Sequence, residues 1–339
     1  MPLILSEAEV KQILPMRDLI ETMQTALAEF SAGRVNQPLR TILDLSTAGV
    51  PGARLVRVGV EAHAFFGVMP AFIPAYGALG TKLVTLFGSN SAIGLPTHFA
   101  TIIMLDPSTG QLRAVMDGRY ITEARTAAVS ALSSRLLARP EATSLAIIGS
   151  GVQARSHLEA ITQVHHIGEV RVWSPNAEHV RRFIDDMQPT TSATLLAAGS
   201  AQEAVRGVDL VVLASAAREP VVRSEWIADG THLCAVGACR PDQREMDSEL
   251  VRRAKLFVDS RTAALVEAGD IVIPIKEGTI GPTHIAGELG ELAANRLRGR
   301  ESDAQVTLFK SLGMAVEDVA AAHLAFLRAT ERGLGREIL

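Results

Sequence analysis

Three basic residues stand in apolar surroundings, where a charge is stable only beside an anion. They are Arg40 in Pro38-Leu39-Arg40-Thr41-Ile42-Leu43, Lys82 in Gly80-Thr81-Lys82-Leu83-Val84, and Arg125 in Glu123-Ala124-Arg125-Thr126-Ala127. Two arginines offer planar forks that suit a carboxylate. A lysine beside them adds charge or moves a proton. Taken singly, each residue is better explained by a structural ion pair with a nearby acid such as Asp44 or Glu123. Cys239, in Val236-Gly237-Ala238-Cys239-Arg240-Pro241-Asp242, has no histidine near it in sequence. A thiol of ordinary pKa, about 8.5, is mostly protonated at neutral pH. A small side chain lining a pocket is the simpler reading. His98 could reach a substrate or be a hydrogen-bonded structural residue. No His or Cys spacing points to a metal.

A second constellation points to a dinucleotide. Leu145-Ala146-Ile147-Ile148 reads as a buried strand, and Gly149, Gly151 and Ala154 follow as G-x-G-x-x-A. Ala154, Leu158 and Ile161 then recur at helical spacing. In a strand–turn–helix unit the first glycine allows the tight turn. The second lets a pyrophosphate approach the backbone, and the small third residue lets helix and strand pack closely. The free N–H groups of the helix start favour the phosphate charge. The next strand ends at Val172-Trp173-Ser174-Pro175-Asn176 without the carboxylate that binds the 2′-hydroxyl of NAD. Ser174, Asn176, Arg181 or Arg182 could serve a 2′-phosphate. The pattern favours NADP(H) and leaves NAD(H) open.

The elements that must position these residues fall into two regions. Ser6 and Glu9 form a capping box before a short helix, and Leu19, Met23, Leu27 and Phe30 make one stripe of a helix over 16–33. Short β-prone runs follow at 40–45, 61–66, 80–87 and 100–106, with a turn at Asp106-Pro107-Ser108-Thr109-Gly110. A helix over 121–137 leads into the glycine turn and carries Arg125, so one helix would connect the basic residues to the cofactor. Thereafter strands at 169–173, 195–198, 209–214, 231–236 and 255–259 alternate with helices, which argues for a parallel sheet covered on both faces. Loop and helix broken by Pro274 and Pro282 are expected over 271–295. A final amphipathic helix over 314–332 is expected to return to the first region. The fold class is α/β: a Rossmann-type doubly wound parallel sheet plus an α+β substrate and dimerisation domain. The expected domains are 1–128 with 303–339, and 129–302.

At 339 residues the chain is long enough for two domains. Its hydrophobic content of 47% and charged content of 21% fit a globular protein. A net charge of −4 gives no reason to expect nucleic acid, and no apolar run reaches membrane length. Two cysteines and no signal-peptide pattern suit a cytoplasmic protein.

Several stretches together resemble the ornithine cyclodeaminase and mu-crystallin family, over nearly the whole chain. They are Gly67-Val68-Met69-Pro70-Ala71, Thr81-Lys82-Leu83-Val84-Thr85, Ala114-Val115-Met116-Asp117-Gly118, Arg125-Thr126-Ala127-Ala128-Val129-Ser130-Ala131, Gly149-Ser150-Gly151-Val152-Gln153-Ala154, Gly237-Ala238-Cys239-Arg240-Pro241-Asp242 and Phe309-Lys310-Ser311-Leu312-Gly313-Met314-Ala315-Val316-Glu317-Asp318. The resemblance implies a homodimer. It also implies a substrate-carboxylate site at Arg40, Lys82 and Arg125. Thr97, Arg125, Gly149, Gly151, Val152, Gln153, Ser174, Ser215, Val236, Gly237 and Ser311 would line the cofactor, with Met69 and Leu312 beside the substrate. The cyclodeaminases and related alanine dehydrogenases carry an acid/base aspartate where this chain has Cys239. A neutral thiol cannot take that role. The expected activity is therefore NAD(P)H-dependent reduction of a cyclic ketimine carboxylate, with Lys82 and Arg125 in catalysis. The alternatives are an amino-acid dehydrogenase, an opine-type or N-alkyl amino-acid reductase, a cyclodeaminase, and an NADPH-dependent binding protein for a small ligand.

Overall fold

A computed structural model describes residues 1–45 and 64–337. The chain divides into two compact units. Unit one comprises Met1–Pro15, Gly33–Thr122 and Met314–Leu339. Unit two comprises Met16–Ala32 and Glu123–Gly313.

Unit one is built on a mixed seven-stranded sheet. Its order is Arg336–Glu337, Leu3–Leu5, Leu112–Asp117, His98–Leu105, Ala78–Phe87, Ala64–Ile73 and Thr41–Asp44. Neighbours are antiparallel except for Leu3–Leu5 beside Leu112–Asp117. The expected strand over 61–66 is described only from Ala64, and the rest lies outside the described residues. At the turn before Leu112, the Asp106 side chain accepts from the backbone of Ser108 and Thr109, which fixes the reversal. Strand alternation puts Met69, Ala71, Ile73, Ala78, Lys82, Val84, Ile102 and Met104 on one buried face. The helix Ala315–Arg332 packs on that face, as its amphipathic pattern anticipates, and ends at Gly333 with φ 63°. The short helix Glu7–Ile13 has the expected capping box between Ser6 and Glu9.

Unit two holds an all-parallel eight-stranded sheet. Its order is Ile285–Glu288, Lys255–Val258, Thr307–Lys310, His232–Ala235, Leu210–Leu213, Ser144–Ile148, Glu169–Trp173 and Thr194–Ala197. The chain runs outward from Ser144–Ile148 in one direction, then restarts on its other side at Leu210. That reversal is the topological switch point where such sheets bind ligands, beyond the carboxyl ends of the strands. The central strands are buried throughout, in keeping with cover on both faces.

Three features of unit two depart from the expected pattern. Ile285–Glu288 and Thr307–Lys310 are strands, although Gly287, Glu288 and Lys310 interrupt their apolar character. Pro274 sits inside the helix Gly269–Lys276 rather than breaking it. The helix Met16–Ser31 groups with unit two, not with the rest of residues 1–128. Its backbone lies so close to Gly290 that a Cβ there would meet the Leu27 carbonyl at 2.0 Å, and Ser31 donates to Glu288 at 2.7 Å.

Candidate functional site

The glycine turn follows directly from the sheet. Gly149 ends the strand Ser144–Ile148 with φ 127°, a conformation open to glycine. A Cβ there would lie 2.4 Å from the Ala214 carbonyl, so no other residue fits between the two strand ends. Gly149 also donates its N–H to the Trp173 carbonyl at 2.8 Å. Gly151 is the N-cap of the helix Val152–Ile161 and has no side chain to occupy the first free N–H groups. A Cβ at Gly151 would meet nothing within 4 Å. Open space over an uncapped helix start is the cradle a pyrophosphate needs, so these residues fit a dinucleotide. Ala154 is fully buried against the strand, as the motif requires.

Beside this turn, Ser150 donates to the Ser174 hydroxyl at 3.0 Å, and Ser174 to the Asn176 carbonyl at 3.1 Å. The Asn176 side chain caps the helix Ala177–Met187 by accepting from Glu178 and His179. The cap engages the amide oxygen and leaves the Asn176 NH2 as a donor, whereas the Ser174 hydroxyl already donates to the Asn176 carbonyl. Arg181 and Arg182 are exposed on that helix.

The carboxyl ends of the neighbouring strands carry Ser215, Val236 and Gly237. One buried carboxylate holds Ser215 and Gly237. Glu245 accepts from the Ser215 N–H and hydroxyl, both at 2.7 Å, and from Gly237 at 2.7 Å and Ala238 at 3.2 Å. Burial pushes the Glu245 pKa up, and Lys310 opposes that rise. Asp270 in turn accepts from the Glu245 N–H at 2.8 Å and pairs with Lys310 at 3.0 Å. Burial works against the Lys310 charge, but Asp270, Cys239 and Glu245 hold its pKa above the ordinary lysine value. Cys239 is half-buried, and its thiol donates to the Val236 carbonyl at 3.4 Å. Cys234 is a buried strand residue whose pKa burial pushes up to about 12.

Arg125 is buried on the helix Arg119–Leu137. Its guanidinium lies against the backbone of Gly313, which has φ 78° and no room for a Cβ. The turn Ser311–Gly313 is held by Asp259, which accepts from Leu312 at 2.6 Å, Gly313 at 2.7 Å and the Ser311 hydroxyl at 3.4 Å. Unit two thus brings Arg125 together with the segment that contains Ser311 and Leu312.

In unit one, Lys82 is buried on the face covered by the C-terminal helix. Its Nζ lies 2.7 Å from Asp318 and donates to the Thr122 hydroxyl at 3.5 Å. The lysine therefore does have an acidic partner, but it is Asp318 and not a neighbour in sequence. Met69 is buried on the adjacent strand, paired in register with Lys82. Arg40 is half-buried just before the edge strand Thr41–Asp44. Thr97 is exposed just before the strand His98–Leu105, and its carbonyl accepts from Phe87. The residues that reading the sequence missed are acids: Asp318, Asp259, Glu245 and Asp270. Asp318 lay within the quoted C-terminal stretch, and pairing it with Lys82 was the one available signal.

A single family model, described as the ornithine cyclodeaminase/mu-crystallin family, matches residues 1–333. The chain belongs to that family. Ketimine reductase mu-crystallin of Mus musculus is 42% identical over 329 residues, covering 96% of each chain. The solved Δ1-pyrroline-2-carboxylate reductase of Thermococcus litoralis, in complex with NADH and L-proline, superposes with a TM-score of 0.93. It is 38% identical and covers 99% of this chain and 100% of its own. An archaeal alanine dehydrogenase dimer with bound NAD has a TM-score of 0.90 at 31% identity, covering 100% of this chain and 99% of its own. The family likeness bears out the expected α/β class, with its mixed-sheet unit and its parallel Rossmann-type sheet. Among the described residues, no helix is long and apolar enough to cross a membrane, and no cluster of His, Cys, Asp and Glu could hold a metal.

Proposed function

We propose that this family member reduces cyclic ketimine carboxylates, such as Δ1-pyrroline-2-carboxylate or Δ1-piperideine-2-carboxylate, to the cyclic amino acid. It is an NAD(P)H-dependent imine reductase acting on a carbon–nitrogen double bond. The observation that carries this reading is the 42% identity, over 96% of each chain, with a ketimine reductase. Two features support it: a cysteine, Cys239, stands where the cyclodeaminase resemblance has an aspartate, and the buried ammonium of Lys82 lies beside Asp318. A cysteine leaves no carboxylate at that position to abstract a proton from an amine, whereas reduction of an existing imine needs only a proton donor and a hydride.

NAD(P)H, when bound, supplies the hydride. Gly149, Gly151, Val152 and Gln153 hold the pyrophosphate; Ser174 meets the adenosine ribose; Thr97, Ser215, Val236, Gly237 and Ser311 line the remainder. The missing acid after Trp173 favours NADPH over NADH. Arg40 and Arg125 clamp the substrate carboxylate, and Arg125 also faces the cofactor. Such positioning lowers a barrier by about 7 kcal/mol or more in favourable cases. Lys82 would supply the proton to the imine nitrogen. Met69 and Leu312 form the apolar wall that excludes water.

The active form is a homodimer. The other face of the first sheet supports this: among the described residues Val68, Pro70, Phe72, Leu79, Leu83, Ile103 and Leu105 are half-buried and alternate with the buried residues, and Phe99 is 43% exposed. An apolar sheet face of that extent calls for a partner. Cys234 and Cys239 form no disulfide, which suits a cytoplasmic enzyme.

A panel assay of the two cyclic ketimines with NADPH and NADH tests the reading. Oxidation of the cofactor with either imine, lost in Arg125→Ala while the circular dichroism spectrum is kept, is the expected result. Inertness toward both imines, together with amine-dependent reduction of pyruvate, would move the function to amino-acid dehydrogenation.

A further inference from the structure

Glu245, Asp270 and Lys310 are fully or almost fully buried, at 0%, 1% and 0% exposure. Three charges in a protein interior are costly unless each is paired and hydrogen-bonded. Here each has a defined partner, and the chain of contacts leads to one place. Lys310 closes the strand Thr307–Lys310 and pairs with Asp270. Asp270 accepts from the backbone N–H of Glu245 at 2.8 Å and of Met246 at 3.4 Å. The Glu245 carboxylate then accepts four donors from two separate loops. Ser215, after the strand Leu210–Leu213, supplies two, and Gly237 and Ala238, after His232–Ala235, supply the others. The fit is close: a Cβ on Gly237 would lie 2.0 Å from the Ser215 carbonyl and 2.5 Å from Glu245 Oε1.

These loops lie on one side of the switch point, at the carboxyl ends of Leu210–Leu213 and His232–Ala235. The second strand, Glu169–Trp173, lies on the other side and meets the adenosine ribose in this architecture. We infer that Glu245 is a positioning residue for the nicotinamide half of the cofactor, with Asp270 and Lys310 fixing its own backbone and charge. The inference rests on the dinucleotide reading above. An acceptor-only carboxylate matches four donors, and an amide of the same shape turns an NH2 group toward two of them. The loops should then separate, and the half of the cofactor that they contact should lose affinity. The adenosine half, held at Gly149, Gly151 and Ser174, should not.

Fluorescence titration of the full chain with NADPH, and calorimetric titration with 2′,5′-ADP, tests this on the wild type, Glu245→Gln and Lys310→Met. The expected result is an NADPH Kd raised about tenfold or more in both variants, with the 2′,5′-ADP Kd within about twofold of wild type. Parallel loss of both ligands, or no change in either, overturns the proposal. A wild type that binds neither NADPH nor NADH overturns the dinucleotide reading along with it, so the two failures are distinguishable. Should Glu245→Gln not fold, Ser215→Ala removes one donor and keeps the carboxylate. The same unequal loss is expected of it, about threefold for NADPH, and an equal or absent loss counts against the proposal.

Discussion

Lys82 and Asp318 form an ion pair 2.7 Å long in which both side chains are almost wholly shielded from water. Lys82 stands on a central strand of the first sheet, and Asp318 on the helix that covers it. Removing one member of such a pair leaves the other charge buried without this counter-ion. Asp318→Ala should cost about 3–5 kcal/mol of stability, read from urea unfolding. The double variant Lys82→Met, Asp318→Asn should regain most of that stability and yet show no imine reduction. Turnover in the double variant would remove Lys82 from the chemistry.

The two motif glycines should separate a folding requirement from a binding one. Gly149→Ala puts a Cβ 2.4 Å from the Ala214 carbonyl at φ 127°, and should destabilise unit two by more than about 2 kcal/mol. Gly151→Ala adds a methyl into open space and should leave the melting temperature within a few degrees of wild type. Its NADPH affinity should nevertheless fall at least about tenfold, because the methyl occupies the approach of the pyrophosphate. A Gly151→Ala protein with wild-type affinity would place the phosphate elsewhere.

Cofactor choice should turn on Ser174. Its hydroxyl lies at the end of the second strand, between Ser150 and the Asn176 carbonyl. Ser174→Asp introduces the charge that binds a ribose 2′-hydroxyl and repels a 2′-phosphate. The ratio of kcat/KM for NADPH to that for NADH should fall about tenfold or more, with the NADH value retained. An unchanged ratio would mean that the ribose is read by other residues.

Acid should destabilise unit two through His157. Burial, partly opposed by the hydrogen bond to the Gln153 carbonyl, brings its pKa from 6.5 to about 4. A carbonyl only accepts, so Nδ1 carries the proton, and Nε2 accepts from the Ser130 hydroxyl at 2.9 Å. The unfolded chain takes up a proton below about pH 6.5, and the folded chain does so only near 4. The stabilising effect is therefore complete above pH 6.5 and declines as pH falls toward 4. The full effect is about 3 kcal/mol. His157→Gln should flatten that part of the stability profile measured by urea unfolding between pH 7.5 and 4.5.

Local patterns were legible wherever the interacting groups lie within one turn or one strand. The capping box of Ser6 and Glu9, the reversal at Asp106, and the strand–glycine–helix unit at 144–161 depend on contacts a few residues apart. Apolar runs also marked the strands Leu210–Leu213 and His232–Ala235, because strands buried on both faces need no alternation. Thr307–Lys310 escaped because it ends in a lysine. Its burial becomes sensible only with Asp270 beside it, 3.0 Å away.

The sequence by itself determined the α/β class, the parallel sheet and the strand–glycine–helix unit. Each follows from residue type and short-range spacing, and the resemblance to a family singled out Arg40, Lys82 and Arg125 as candidates. Only the tertiary structure decided which acids hold these elements. Asp318 for Lys82, Asp259 for the turn at Ser311–Gly313, and Glu245 for Ser215 and Gly237 are distant or unremarkable in the chain. A buried charge has no preferred sequence separation from its partner. Its position is set by where strands end and helices cross, which is a property of the folded chain.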